Sequence, residues 1–147
     1  MFFSTFFATF LHTAPQQVWL VVMTLTCGYA LWRGQRPERV AGGACIAAWV
    51  LSTFAYNYRD WLDPQWFVLL VDLGLLAVLL ALAMRSDRTW ALFAAAFQLL
   101  AVVIHIAIMI DSDVRGRAYV QGLVIWSYLI VFSVGLGTWF ERRRVAT

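Results

Sequence analysis

Five apolar segments, each about as long as a bilayer is thick, follow one another along 147 residues with only short arginine-bearing breaks between them. A hydrocarbon core about 30 Å thick needs roughly 17–25 apolar residues in helical form. Residues 16–32, 40–56, 66–84, 89–110 and 118–140 supply such segments. The breaks read RGQRPER (33–39), NYRDWLDPQ (57–65), RSDR (85–88) and DSDVRGR (111–117), and the chain closes on ERRRVAT. Pro37 and Pro64 fall in breaks, where a missing backbone N–H costs little. Nothing alternates with period two, which excludes a closed β-barrel. The expectation is one all-α domain over 1–147, a polytopic membrane bundle of five transmembrane helices with consecutive helices antiparallel.

Composition agrees: 63% of the residues are hydrophobic and 13% charged, against about 45–50% and about 25% in soluble domains. The eleven basic residues are all Arg. Guanidinium matches phosphate geometry, but a GC-rich genome explains the bias better. The charge of +3 reflects the flanks of the spans, and no basic run or nucleic-acid motif gives a nucleic-acid partner a place to bind. No cleaved signal peptide is expected: residues 2–11 lack a basic leader, and the small residues Thr13 and Ala14 are followed by Pro15.

Orientation follows from the arginines. With the N-terminus outside, the cytoplasmic segments carry Arg33, Arg36, Arg39, Arg85, Arg88, Arg142, Arg143 and Arg144, and the outer loops only Arg59, Arg115 and Arg117. That is a positive-inside bias spread over three segments. Trp19, Trp61 and Trp66 fall near the outer face and Trp32, Trp90 and Trp139 near the inner, as aromatic belts do; Trp49 and Trp126 fall near mid-membrane. Ahead of the first span, Phe2, Phe3, Phe6, Phe7, Phe10 and Leu11 repeat at helical spacing. Residues 2–12 are too short to span, so they read as an amphipathic helix in the outer interface. Docking of the same phenyl face into another subunit is the alternative.

Intramembrane ionisable groups are expensive and mark candidate sites. Asp72 and His105 lie at similar depth, roughly 8–10 Å below the outer boundary, on consecutive antiparallel helices. On the fourth helix Ala94, Gln98, Ala101 and His105 form one small-and-polar stripe facing the bundle. The predicted site is therefore a cluster of Asp72, His105 and Gln98 in the outer half, with Tyr128 and with Tyr56 or Asn57 around it. Three readings stay open: a hydrogen bond that fixes helix register, a proton or ion relay, and a ligand pocket. The inner half offers a relay little, because below Gln98 no ionisable residue appears before the arginine-lined loops.

The remaining candidates read more blandly. His12 and His105 are the chain's two histidines, and bis-histidine haem ligation would need both; no cofactor is expected. Asp60, Asp63, Asp111 and Asp113 read as solvated loop carboxylates beside Arg59, Arg115 and Arg117 rather than as a cation site. Cys27 and Cys45, at equal depth on neighbouring helices, read as inert buried thiols. Gly42 or Gly43 with Ala47, Ala44 with Ala48, and Ser133 with Gly137 have close-packing spacing, either within the bundle or in a homodimer. No phosphate loop, nucleophile elbow or zinc spacing is present, so no enzyme activity is expected.

Two resemblances bear on this reading. RDWLDPQW (59–66) with VDLGLL, SDRTW, AFQLLAVVIH and WSYL resembles small integral membrane proteins of alphaproteobacteria that have no assigned activity. It covers most of the chain and implies the bacterial inner membrane. In architecture, five spans and eight Trp are similar to the tryptophan-rich sensory proteins, which bind porphyrins and sterols. The Trp-Pro-rich loop of that family has no counterpart here, where 33–39 reads RGQRPER. The functional expectation is a non-enzymatic accessory or scaffolding subunit in contact with the bilayer and with a membrane-protein partner or a second copy of itself. The alternatives are an apolar-ligand binder in the outer half and proton-linked transport through Asp72 and His105.

Overall fold

A backbone surrounded by hydrocarbon must satisfy its own N–H and C=O groups, and in an apolar segment without strand periodicity that means a helix. The computed structural model describes residues 14–55, 65–110 and 116–146, and everything in them beyond short links is helical. The helices are α1 (Ala14–Arg33), α2 (Arg36–Ala55), α3 (Trp66–Arg85), α4 (Thr89–Ile110) and α5 (Gly116–Ala146). The amphipathic segment 2–12, and with it His12, lies outside the described residues, as do Tyr56, Asn57, Asp60, Asp63, Asp111 and Asp113.

Each helix packs on its neighbours in the chain, and α5 returns to pack on α1 and, more lightly, on α2. The bundle is thus a closed ring in chain order. The two-residue link Gly34–Gln35 and the link 86–88 turn the chain at one end, where α5 also finishes; this is the arginine end. Gly34 N donates to Ala30 O at 2.9 Å and Ser86 N to Leu82 O at 2.9 Å, closing the last turns of α1 and α3.

Among the described residues three helices are long and apolar enough to cross a membrane: Trp66–Arg85, Thr89–Ile110 and the Gln121–Arg144 part of α5. The sequence expectation was five. Helices α1 and α2 have the length, at 20 residues each, but their apolar character is diluted. Pro15, Gln16, Gln17, Thr24, Thr26 and Tyr29 do this in α1, and Arg36, Glu38, Arg39, Gly42 and Gly43 in α2.

Two boundaries also differ from expectation. Helix α2 starts at Arg36, not at residue 40, so Pro37 sits in its first turn, where its fixed φ suits a helix and no intrahelical N–H is lost. Helix α5 runs 31 residues, about 46 Å, and carries the helix through Glu141 and the arginines beyond residue 140. Basic residues in a last turn complement the helix dipole.

The core is apolar, built on Met23, Cys27, Leu79, Ala94, Ile130, Val131 and Val134, but it also holds Glu38, His105, Gln98 and Thr138, while Trp66, Phe67, Met84, Leu92, Phe93, Ile110, Phe132 and Phe140 are exposed. Such an arrangement fits a hydrocarbon solvent, in which apolar side chains gain nothing by facing inward. Small residues set the close approaches. A Cβ at Gly42 would press on Ala30 and Cys27 across α1–α2, and one at Gly137 would land on the Trp90 indole across α4–α5. The small residues Gly42 and Gly137 therefore serve contacts within the bundle. Cys27 and Cys45 are buried reduced thiols facing each other across α1–α2.

Because the indole of Trp90 occupies the space a side chain at 137 would need, Gly137→Ala is expected to cost about 1–3 kcal/mol. Gly28→Ala, where nothing lies within reach of a new Cβ, is expected to be neutral or slightly stabilising. Unfolding in mixed detergent micelles, followed by circular dichroism, measures both.

Candidate functional site

Asp72 is on the seventh position of α3, and Gln98 and His105 are two turns apart on one face of α4. Since α3 and α4 are antiparallel neighbours, the three come together. Gln98 Nε2 donates to the Asp72 backbone carbonyl at 3.0 Å and to Asp72 Oδ1 at 3.1 Å. His105 Nε2 sits 2.9 Å from the other carboxylate oxygen, Oδ2, as a close polar contact out of hydrogen-bond alignment. The His105 side chain is 1% exposed and that of Asp72 18%. The stripe Ala94, Gln98, Ala101, His105 is buried throughout.

Tyr128 is elsewhere. It packs edge-on against Trp19, with ring centroids 4.7 Å apart, in the α1–α5 contact. Ring closure explains this: α5 lies between α4 and α1, away from α3.

A second polar cluster, which the sequence reading did not anticipate, lies at the arginine end. Glu38, in the first turn of α2, is fully buried. Its Oε2 accepts the Gln35 backbone N–H at 3.0 Å, the reciprocal half of a helix capping box. Its Oε1 accepts the Trp90 indole N–H at 3.2 Å and lies 3.7 Å from Arg88 Nε. Arg88, in the α3–α4 link, also pairs with Glu141 of α5 and donates from Nη2 to Gln35 Oε1 at 2.7 Å. On the far side of Glu141, Arg144 approaches at 3.6 Å.

Both clusters join helices through their polar contacts. A buried carboxylate is tolerable only when its lone pairs are met, and the two oxygens of Glu38 have two N–H donors, from Gln35 and Trp90, besides Arg88's charge. Among the described residues no group of three His, Cys, Asp or Glu gathers to hold a metal ion. Two cavities lie at the arginine end, and neither is lined by Asp72, Gln98 or His105. One, of about 360 Å³, is bordered by Arg33, Gln35, Glu38, Thr138, Glu141 and Arg142. The other, of about 770 Å³, is a groove between α4 and α5.

No protein-family model matches the chain, and neither a curated protein nor a solved structure is similar to it.

Removing one partner of a buried ion pair leaves the other desolvated and unmet. Glu38→Ala is therefore expected to cost about 3 kcal/mol or more, whereas Arg144→Ala, whose side chain is 76% exposed, is expected to cost well under about 1 kcal/mol. The same unfolding assay, run on both variants, checks the ranking; equal costs would contradict it.

Proposed function

We propose that the chain is a five-span protein of a bacterial inner membrane, with its N-terminus periplasmic and its C-terminus cytoplasmic. In this reading it serves as a non-enzymatic accessory or scaffolding subunit of a membrane assembly. Support for five spans comes from packing. Helices α1 and α2 run alongside α3 and α5, joined by a link too short for anything but an antiparallel pair. Their exposed apolar residues, Val18, Val21 and Leu25 on α1 and Val50, Leu51 and Phe54 on α2, suit lipid contact. The arginine end takes the cytoplasmic side by the positive-inside rule.

The scaffolding role rests on one observation: the costly polar groups are consumed between helices. Asp72 is met by Gln98 and His105, and Arg88 is met by Glu38 and Glu141. A bundle tied at both ends in this way is a frame, and its outward faces are broad and apolar. Proton-linked transport through Asp72 and His105 is the second reading, favoured by the partial exposure of the Asp72 carboxylate.

Two experiments bear on the proposal. Native mass spectrometry from mild detergent is expected to show the chain in a defined complex, with another protein or with itself; a clean monomer contradicts the scaffolding role. Asp72→Asn separates the two readings of that pair. A register bond predicts lowered stability, by about 0.6–2 kcal/mol, whereas a relay predicts unchanged stability and lost proton flux in proteoliposomes.

A further inference from the structure

The groove between α4 and α5 has a polarity gradient that the joining of helices does not require. Its walls are Phe93 and Phe97 from α4 and Leu129, Phe132, Leu136 and Phe140 from α5. At one end it is bordered by Thr89, Glu141, Arg143 and Arg144. From Leu129 to Glu141 it follows α5 for about 18 Å, slightly more than half of a hydrocarbon core about 30 Å thick. A groove with one apolar end near mid-membrane and one charged end at the interface has the dimensions of a single leaflet.

The charge at the mouth is positive. Glu141, the one acid bordering it, pairs with Arg88 and lies 3.6 Å from Arg144, and it stands against the two guanidinium groups of Arg143 and Arg144. Arg143 is held over the Trp139 ring, 4.8 Å from its centroid, which keeps a guanidinium at the interface instead of in water. Guanidinium groups recognise phosphate by charge-assisted and bidentate hydrogen bonds. A partner helix from another protein would use the apolar walls alone, whereas an anionic phospholipid uses the walls and the adjacent arginines at the mouth together. We infer that this groove is a binding site for one anionic phospholipid of the leaflet at the arginine end, its phosphate at Arg143 and Arg144 and an acyl chain along Phe93, Phe97 and Phe132. The inference is independent of the scaffolding role, since a frame with or without partners can hold a structural lipid.

The test reconstitutes the full chain in nanodiscs of equal parts phosphatidylglycerol and phosphatidylcholine, then counts retained lipid by native mass spectrometry. The wild type is expected to keep one phosphatidylglycerol per chain in preference to phosphatidylcholine. The double variant Arg143→Ala, Arg144→Ala is expected to lose that preference by about tenfold or more, the scale of removing two basic residues from an anionic surface. Leu136→Trp, which fills the groove and leaves the arginines in place, is expected to lose the retained lipid as well. Circular dichroism and melting of each variant establish that the bundle is intact. Equal retention of the two lipids by the wild type overturns the proposal. So does retention by Leu136→Trp, which would reduce the effect to a charged surface, or a wild-type dimer that excludes lipid, which would give the groove to a second copy.

Discussion

Arg88 is the constraint on which the rest of the bundle depends. It sits in the three-residue link between α3 and α4, yet it reaches Glu38 at the start of α2, Glu141 near the end of α5, and Gln35 in the α1–α2 link. A guanidinium is suited to this because its five donors lie in a fixed planar fork and it does not lose its charge. Burying Glu38 costs several kcal/mol of desolvation on the scale of ions in protein interiors, on the order of the penalty that only dense pairing offsets. That cost makes the arrangement specific: sliding α2 or α5 along its axis by one turn would leave a carboxylate in hydrocarbon without its partner.

Helix α4 carries the consequence to the other end. Trp90, Gln98 and His105 lie on one buried face, separated by Ala91, Ala94, Ala95 and Ala101. The alanines let the neighbouring helices approach closely, and the polar residues decide their height. Trp90 donates to Glu38 in α2 while its ring rests on Gly137 in α5, and Gln98 and His105 hold Asp72 in α3. The helix thus makes specific contacts with three of the other four, in a solvent where apolar packing alone would leave their register loosely determined.

Much of this was legible in the sequence, for identifiable reasons. Long apolar segments with arginine breaks give α3 and α4 nearly to the residue, and equal depth on consecutive antiparallel helices brings Asp72 to His105 and Gln98. Placing Tyr128 required knowing that α5 packs between α4 and α1, an order that no single segment encodes. Glu38 was hidden because RGQRPER looks like a solvated loop. Its signal was present: Pro37 followed by Glu38, three residues after Gln35, is the start of a helix with a capping carboxylate. Glu141 was hidden likewise, as the first residue of a tail that in fact continues α5. Helices α1 and α2 match the others in length but not in apolar character, because Gln16, Gln17, Thr24 and Thr26 in α1 and Arg36, Glu38 and Arg39 in α2 stand among their apolar residues.

The claim that Arg88 and Glu38 form one interhelical unit is tested most directly by a double-mutant cycle on Arg88→Met and Glu38→Gln, with unfolding free energies measured in mixed micelles. Each single change is expected to destabilise the bundle and the double variant to recover part of the loss, giving a coupling energy of about 1 kcal/mol or more, within the range of residues in one ion-pair network. Additive effects, with no coupling, would contradict it.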